Sequence, residues 1–249
     1  MALRPVTPTA GVVLAPNPGP MTLEGTNTWV LRAPGAASAV VVDPGPLDEG
    51  HLQAVAALGP VDVVLLTHGH ADHSEGARRL AELTGARVRA LDPAHRLGDE
   101  GLGEGDVVAG GGLEVRVWAT PGHTADSLSF LLPDAVLTGD TVLGRGTTVV
   151  AHPDGVLADY LASLRRLREL GPLVVLPGHG PELADAAAAA ERYLAHREQR
   201  LEQVRAAVDA GAVTADQVVE TVYADVDRAV WPAARLSVLA QLAHLRGAP

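Results

Sequence analysis

The chain reads as an α/β protein: a two-sheet sandwich with helices on its outside, followed by a small helical domain. Three observations point there. Short apolar runs separated by Pro/Gly turns fill most of the first two thirds, with segments of helical spacing between them. Several of those runs stop at loops that carry His or Asp, so one edge of the strands is loaded with metal-binding side chains. From Pro181 onward the composition becomes almost wholly helical. The expected division is 1–185 for the sandwich and 186–249 for the helical tail.

Gly11 to Ala15, Asn27 to Arg32 and Ala39 to Val42 read as early strands between Pro/Gly turns. Leu47 to Leu58 has helical apolar spacing, and its His51 reads as a solvated helix residue. Val61 to Leu66 is a buried strand that stops at Thr67. Ser74 to Leu83 reads as a helix with Ser74 near its start, and Arg87 to Leu91 as a strand. From Asp106 to Thr138 short apolar segments follow one another, with Gly110-Gly111-Gly112 as a turn and Leu113 to Ala119 alternating.

Val156, Leu157, Tyr160, Leu161, Leu164 and Leu167 then recur at helical intervals, with Arg165, Arg166 and Arg168 on other, solvated faces. Leu173 to Leu176 is a further strand. In the tail, Ala184 to Val208 has few helix breakers before Gly211. Thr214 has the chemistry of an N-cap, and a last helix runs from about Pro232 to Leu245, proline being tolerated in a first turn. Trp29, Trp118 and Trp231 are read as packing residues.

The most informative run is Thr67-His68-Gly69-His70-Ala71-Asp72-His73, directly after the buried strand. A strand that ends there can aim His68 and His70 at one point while Asp72 and His73 face another, which makes room for two ions. His123 and His179 sit in Pro121-Gly122-His123-Thr124 and Pro177-Gly178-His179-Gly180, each after an apolar run. Asp140, in Leu137-Thr138-Gly139-Asp140, comes from a fourth strand end and suits a bridging position. Five of the 10 histidines fall in these loops, too regular a placement for chance.

In combination these motifs, with Asp43 closing Val40-Val41-Val42-Asp43, resemble the metallo-β-lactamase superfamily. The resemblance implies an αββα sandwich in which His68, His70 and His123 hold a first metal, Asp72, His73 and His179 a second, and Asp140 bridges. Asp43 would orient the His loop by hydrogen bonds without touching metal. Many true lactamases of the superfamily use Cys or Ser where this chain has Asp140, and the chain has no Cys. That departure points toward glyoxalase-II-like and RNase-Z-like ligand sets.

Asn17 to Thr28 and Thr138 to Val149 look like the β-lactamase-like protein 2 branch. In that branch the tail forms a small winged-helix-like domain, and members include a single-strand endoribonuclease and fungal thioester hydrolases.

The expected activity is therefore a zinc-dependent hydrolase, iron or manganese also suiting imidazole and carboxylate ligands. Two ions about 3.5–4 Å apart activate a water to hydroxide near pH 7 for attack on an ester, thioester or phosphodiester. Asp72 and Asp140 are the carboxylates assigned to catalysis, Asp72 accepting a hydrogen bond from that nucleophile. Arg145, in Leu143 to Thr148, and His152 are the candidates to face substrate. The second class of reading, a mononuclear iron dioxygenase or a non-catalytic binding protein, fits seven ligands less well.

Composition bears on partners. A net charge of −11 disfavours non-specific nucleic-acid binding, and from residue 186 on seven Arg stand against eight Asp plus Glu. Aromatics at 3% offer no base-stacking platform. Single-stranded RNA is thus the less favoured substrate beside a small ester or thioester. No stretch approaches about 18 apolar residues and no secretory leader is visible, so a cytoplasmic protein with no membrane role and no obligate protein partner is expected.

Overall fold

The computed structural model describes residues 2–247. Strands β1 (Arg4–Pro5), β2 (Ala10–Leu14), β3 (Asn27–Leu31), β4 (Ala39–Val42), β5 (Val61–Leu65) and β6 (Arg87–Arg89) form one sheet in that order. The second sheet has the order β11-β10-β9-β8-β7, built from β7 (Val107–Gly110), β8 (Leu113–Ala119), β9 (Leu128–Leu131), β10 (Ala135–Gly139) and β11 (Val174–Pro177). Both sheets are mixed: β4–β5, β5–β6 and β10–β11 are parallel and the rest antiparallel.

The period of two along each strand divides the apolar residues between faces. The register sets Trp29 opposite Val42 and Leu31 opposite Val40, and these four point between the sheets at Val115, Val117, Phe130 and Leu137. The alternate residues Val30, Val41 and Val64 face outward against Leu52, Val55 and Leu80 of helices α1 (Glu49–Ala56) and α3 (Ala77–Thr84). On the far side Val136 and Val175 pack under α4 (Leu157–Arg168) and α5 (Ala186–Asp209). Strands apolar on both faces thus require helices on both sides, which is the four-layer arrangement expected from the sequence.

Helix α5 serves two cores. At 24 residues it is about 36 Å long. Its first half buries Ala186, Ala189, Ala190, Tyr193 and Leu194 against α4 and the second sheet. Its second half offers Val204 and Ala207 to Val218, Val219, Val238 and Leu242 of α6 (Ala215–Val222) and α7 (Trp231–Leu245). Thr214 caps α6 in a reciprocal capping box with Gln217.

Two local readings of the sequence are corrected. His51 is fully buried rather than solvated, its Nε2 2.8 Å from the Thr28 hydroxyl, because α1 turns that face onto the first sheet. Ser74 does not begin a long helix. It closes the single turn α2 (Ala71–Ser74), where its hydroxyl donates to the carbonyls of Gly69 and His70 at 3.0 Å, and α3 starts afresh after Gly76. Among the described residues no helix is long and apolar enough to cross a membrane.

Candidate metal centre

Five strands deliver the site, each from its C-terminal end. β4 ends at Asp43, β5 at the His68–His73 loop, β8 leads to His123, β10 to Asp140 and β11 to His179. Strands of both sheets finish at the same edge of the sandwich, so residues far apart in sequence converge there. His68, His70 and His123 gather in one group, Asp72, His73 and His179 in another, and Asp140 joins His68 and His73 between them. These are the seven residues the sequence singled out, in the same two groups.

Distances define the arrangement. His70 Nδ1 lies 3.0 Å from His68 Nε2 and 3.1 Å from His123 Nε2. His73 Nε2 and His179 Nε2 are 3.2 Å apart, with Asp72 Oδ2 3.4 Å and 3.1 Å from them. Asp140 turns Oδ1 to His73 at 3.4 Å and Oδ2 to His179 at 3.4 Å and His123 at 3.8 Å.

A second set of hydrogen bonds fixes which imidazole nitrogen faces the cluster. Asp43 accepts from the Thr67 amide at 2.8 Å, the Thr67 hydroxyl at 2.7 Å and His73 Nδ1 at 2.8 Å. With its hydroxyl proton given to Asp43, Thr67 accepts from His68 Nδ1 at 3.0 Å. His123 Nδ1 donates to Val149 O at 2.6 Å and His179 Nδ1 to Gly25 O at 3.2 Å. Four imidazoles therefore turn Nε2 inward, the nitrogen left to bind a cation once its proton is displaced. Asp43 adopts φ +51°, a left-handed conformation that a short polar side chain tolerates.

The electrostatics show the same demand for positive charge. Burial disfavours the Asp140 carboxylate, yet His73 and His179 hold its pKa well below the usual range. Asp72 is likewise opposed by burial but brought to about 2, chiefly by its hydrogen bond with His179. Burial lowers His73 and His179, but Asp140 with Asp43 raises His73 well above its ordinary value, and Asp140 with Asp72 brings His179 to about 9. His68 is pushed well below its ordinary value by burial and by its imidazole neighbours. Crowded imidazoles are held together only by the charge of the two carboxylates, and Asp140 Oδ1 is buried with no hydrogen-bond partner. An all-nitrogen-and-oxygen donor set with an orphaned carboxylate oxygen fits divalent cations.

Two openings reach the cluster. His70 is exposed at a shallow depression of about 390 Å3 that also touches Asp92, His95 and Asp126. On the other side a cavity of about 290 Å3 ends on His123 and Asp140. Arg145 lies at its rim, ion-paired with Glu24. His152 does not line this cavity: it borders a separate small groove against α7, beside Ala240 and His244, because the chain has turned toward α4 by that point. Sequence reasoning missed the inner wall of the cavity, which comes from the tail: His196, Arg197, Tyr223, Val226, Val230 and Ser237. It also missed the part played by Thr67, for which adjacency to His68 was the one available signal.

Comparison with known proteins agrees with this geometry. A metallo-beta-lactamase superfamily model matches residues 21–179, and a beta-lactamase associated winged helix model matches 214–247. A beta-lactamase-like protein 2 homolog of Caenorhabditis elegans is 32% identical over 229 residues, 86% of this chain and 76% of that one. An atrochrysone carboxyl ACP thioesterase of Aspergillus fumigatus is 34% identical over 237 residues, 85% of this chain and 72% of that one. The crystal structure of a metallo-beta-lactamase family protein from Thermus thermophilus superposes with a TM-score of 0.81 at 25% identity, covering 97% and 94% of the two chains. A relative crystallised in a di-iron-bound form matches with a TM-score of 0.58 at 28% identity, covering 73% and 97%. With five strand ends converging on seven ligand-type side chains, a matching family model over the sandwich and relatives aligned along most of its length, the chain belongs to the metallo-β-lactamase superfamily.

Proposed function

We propose that this protein is a binuclear metal-dependent hydrolase of small esters or thioesters. The observation that carries the reading is the shape and lining of the cavity over Asp140 and His123. It is about 290 Å3, with Met21, Leu23, Leu143, Val226 and Val230 as its apolar surface and Arg145, Arg197 and Arg200 also on its lining, and it is closed on one side by the helical tail. Such a space suits an acyl group, whereas a polynucleotide needs an open basic track with stacking faces. The net charge of −11 argues the same way.

His68, His70 and His123 would hold one ion and Asp72, His73 and His179 the other, with Asp140 between. Zinc, iron and manganese all suit these donors. Divalent ions held there would supply an activated water and polarise the electrophilic oxygen. The protein's own groups do the rest. Asp72, partly exposed and steadied by the Thr26 hydroxyl at 3.3 Å, would accept a hydrogen bond from the incoming water. The apolar wall holds the acyl chain, water adds to the acyl carbon, the C–S or C–O bond breaks, and the proton leaves with the thiol or alcohol.

The test is a side-by-side assay of the metal-analysed protein on an acyl thioester and on a fluorescent single-stranded RNA, with Asp140→Ala as control. Thioester turnover that disappears in the variant is the expected result. RNA cleavage without thioester turnover would overturn the substrate reading.

A further inference from the structure

The cavity contains a buried cation without an anion. Arg197, on α5, is 3% exposed. Its Nη2 donates to the Thr148 carbonyl, and the guanidinium lies 5.1 Å from the centre of the Tyr160 ring. Its Nε has no hydrogen-bond partner, and among the described residues no carboxylate pairs with it. A buried guanidinium without a counter-charge is costly, and the idle Nε leaves part of its donor capacity unused.

The other basic groups of the cavity are engaged elsewhere. Arg145 pairs with Glu24. Arg200 stacks on Tyr223 at 4.6 Å and donates to the Val222 carbonyl at 2.8 Å. On the same cavity lining, the buried Ser237 hydroxyl accepts from the Val150 amide at 3.2 Å, which leaves its own hydrogen to donate. The one carboxylate on the cavity lining, Asp140, is committed to the His cluster. The inner wall therefore carries donors and positive charge in a chain that is acidic as a whole.

We propose that Arg197 and Ser237 form an anion subsite, and that the substrates are esters or thioesters whose acyl group carries a carboxylate at its far end. The proposal rests on the hydrolase reading for the reacting end and on the helical tail for the other. It gives that tail a role in substrate selection: α5 and α7 supply the charge recognition, and the strand ends supply the chemistry. A planar guanidinium fork matches a carboxylate in two hydrogen bonds, which a neutral acyl terminus cannot return.

The test compares the holoprotein's kcat/KM for hexanoyl and adipyl thioesters of one leaving group, and separately its affinity for hexanoate and adipate by calorimetry. Each pair differs only in the terminal carboxylate. The expected result is a preference of about tenfold to a hundredfold for the charged member in both assays. In Arg197→Met the ratio collapses to about one whatever the absolute rate, and Arg197→Lys recovers part of it. Because Arg197 also steadies the loop behind His123, the wild-type ratio stands as a test that needs no variant. Equal treatment of both members by the wild type overturns the subsite, even where both are hydrolysed. Preference for adipate in calorimetry with neither thioester turned over supports the subsite and removes the hydrolase reading instead.

Discussion

At the scale of single residues the site depends on matched lone pairs and protons. Asp140 has one oxygen buried without a hydrogen bond, 3.4 Å from His73, and another shared between His179 and His123. Asp140→Ala and His70→Ala are each expected to remove turnover, by at least about a thousandfold, while circular dichroism and melting show the fold intact. Asp43 touches none of the cluster from the front but holds Thr67, and through it His68, as well as His73 directly. Asp43→Ala should weaken metal affinity about tenfold to a hundredfold, read by competition with a chromogenic chelator. Gly178 is a position where size decides: a Cβ there would lie 2.5 Å from Asp140 Oδ1 and 2.7 Å from His73 Cε1. The ligand-type residues were legible from their place at strand ends and the role of Asp43 from the family resemblance, whereas Thr67 and Gly178 carried no such signal. The carbonyls of Val149 and Gly25, which orient His123 and His179, were not legible either, since any residue type offers a carbonyl.

At the scale of elements, strands ending at one edge create the site and helices hold those ends still. Gly122 precedes His123 with φ +132°, and a Cβ there would fall 2.3 Å from the Tyr160 backbone of α4. Gly122→Ala should therefore lower the melting temperature strongly, whereas Thr214→Ala, which removes only a helix cap, should cost about 1 kcal/mol, or about 2–4 °C. Apolar runs between Pro/Gly turns made most strands readable to within a residue or two, as with Ala39–Val42, found where expected, though the two-residue β1 was not read. Ser74 misled because serine at a helix start and serine bonding back to a carbonyl look alike in sequence. His51 misled because helical spacing does not say which polar residue lies on the buried stripe. The double role of α5 was invisible for a related reason: an alanine-rich helix shows little periodicity, so its two faces emerge only from what packs on them.

For the whole molecule the tail and the sandwich are one working unit, since the cavity is closed by residues from both. His196, on that shared wall, is brought to about 4 by burial and by Arg197 and Arg200. A histidine whose folded value lies below its ordinary one favours the folded state while neutral. Its contribution is complete above about pH 6.5 and is lost as the pH falls from there toward 4. His196→Gln should thus melt with a shallower loss than wild type between pH 7 and pH 5, and identical slopes would show that His196 does not carry that charge sensitivity. The sandwich and the strand-end chemistry could be read from the chain, but the cavity could not, because its wall joins Asp140 to residues that lie far beyond it in sequence. Counting the metal bound per chain by mass spectrometry while titrating the chelated protein with zinc, and following thioester hydrolysis in parallel, tests the binuclear centre most directly. Two equivalents per chain, with activity reaching its plateau only at the second, is the expected outcome. Full activity at one equivalent, or no stoichiometric binding, would contradict a binuclear hydrolase.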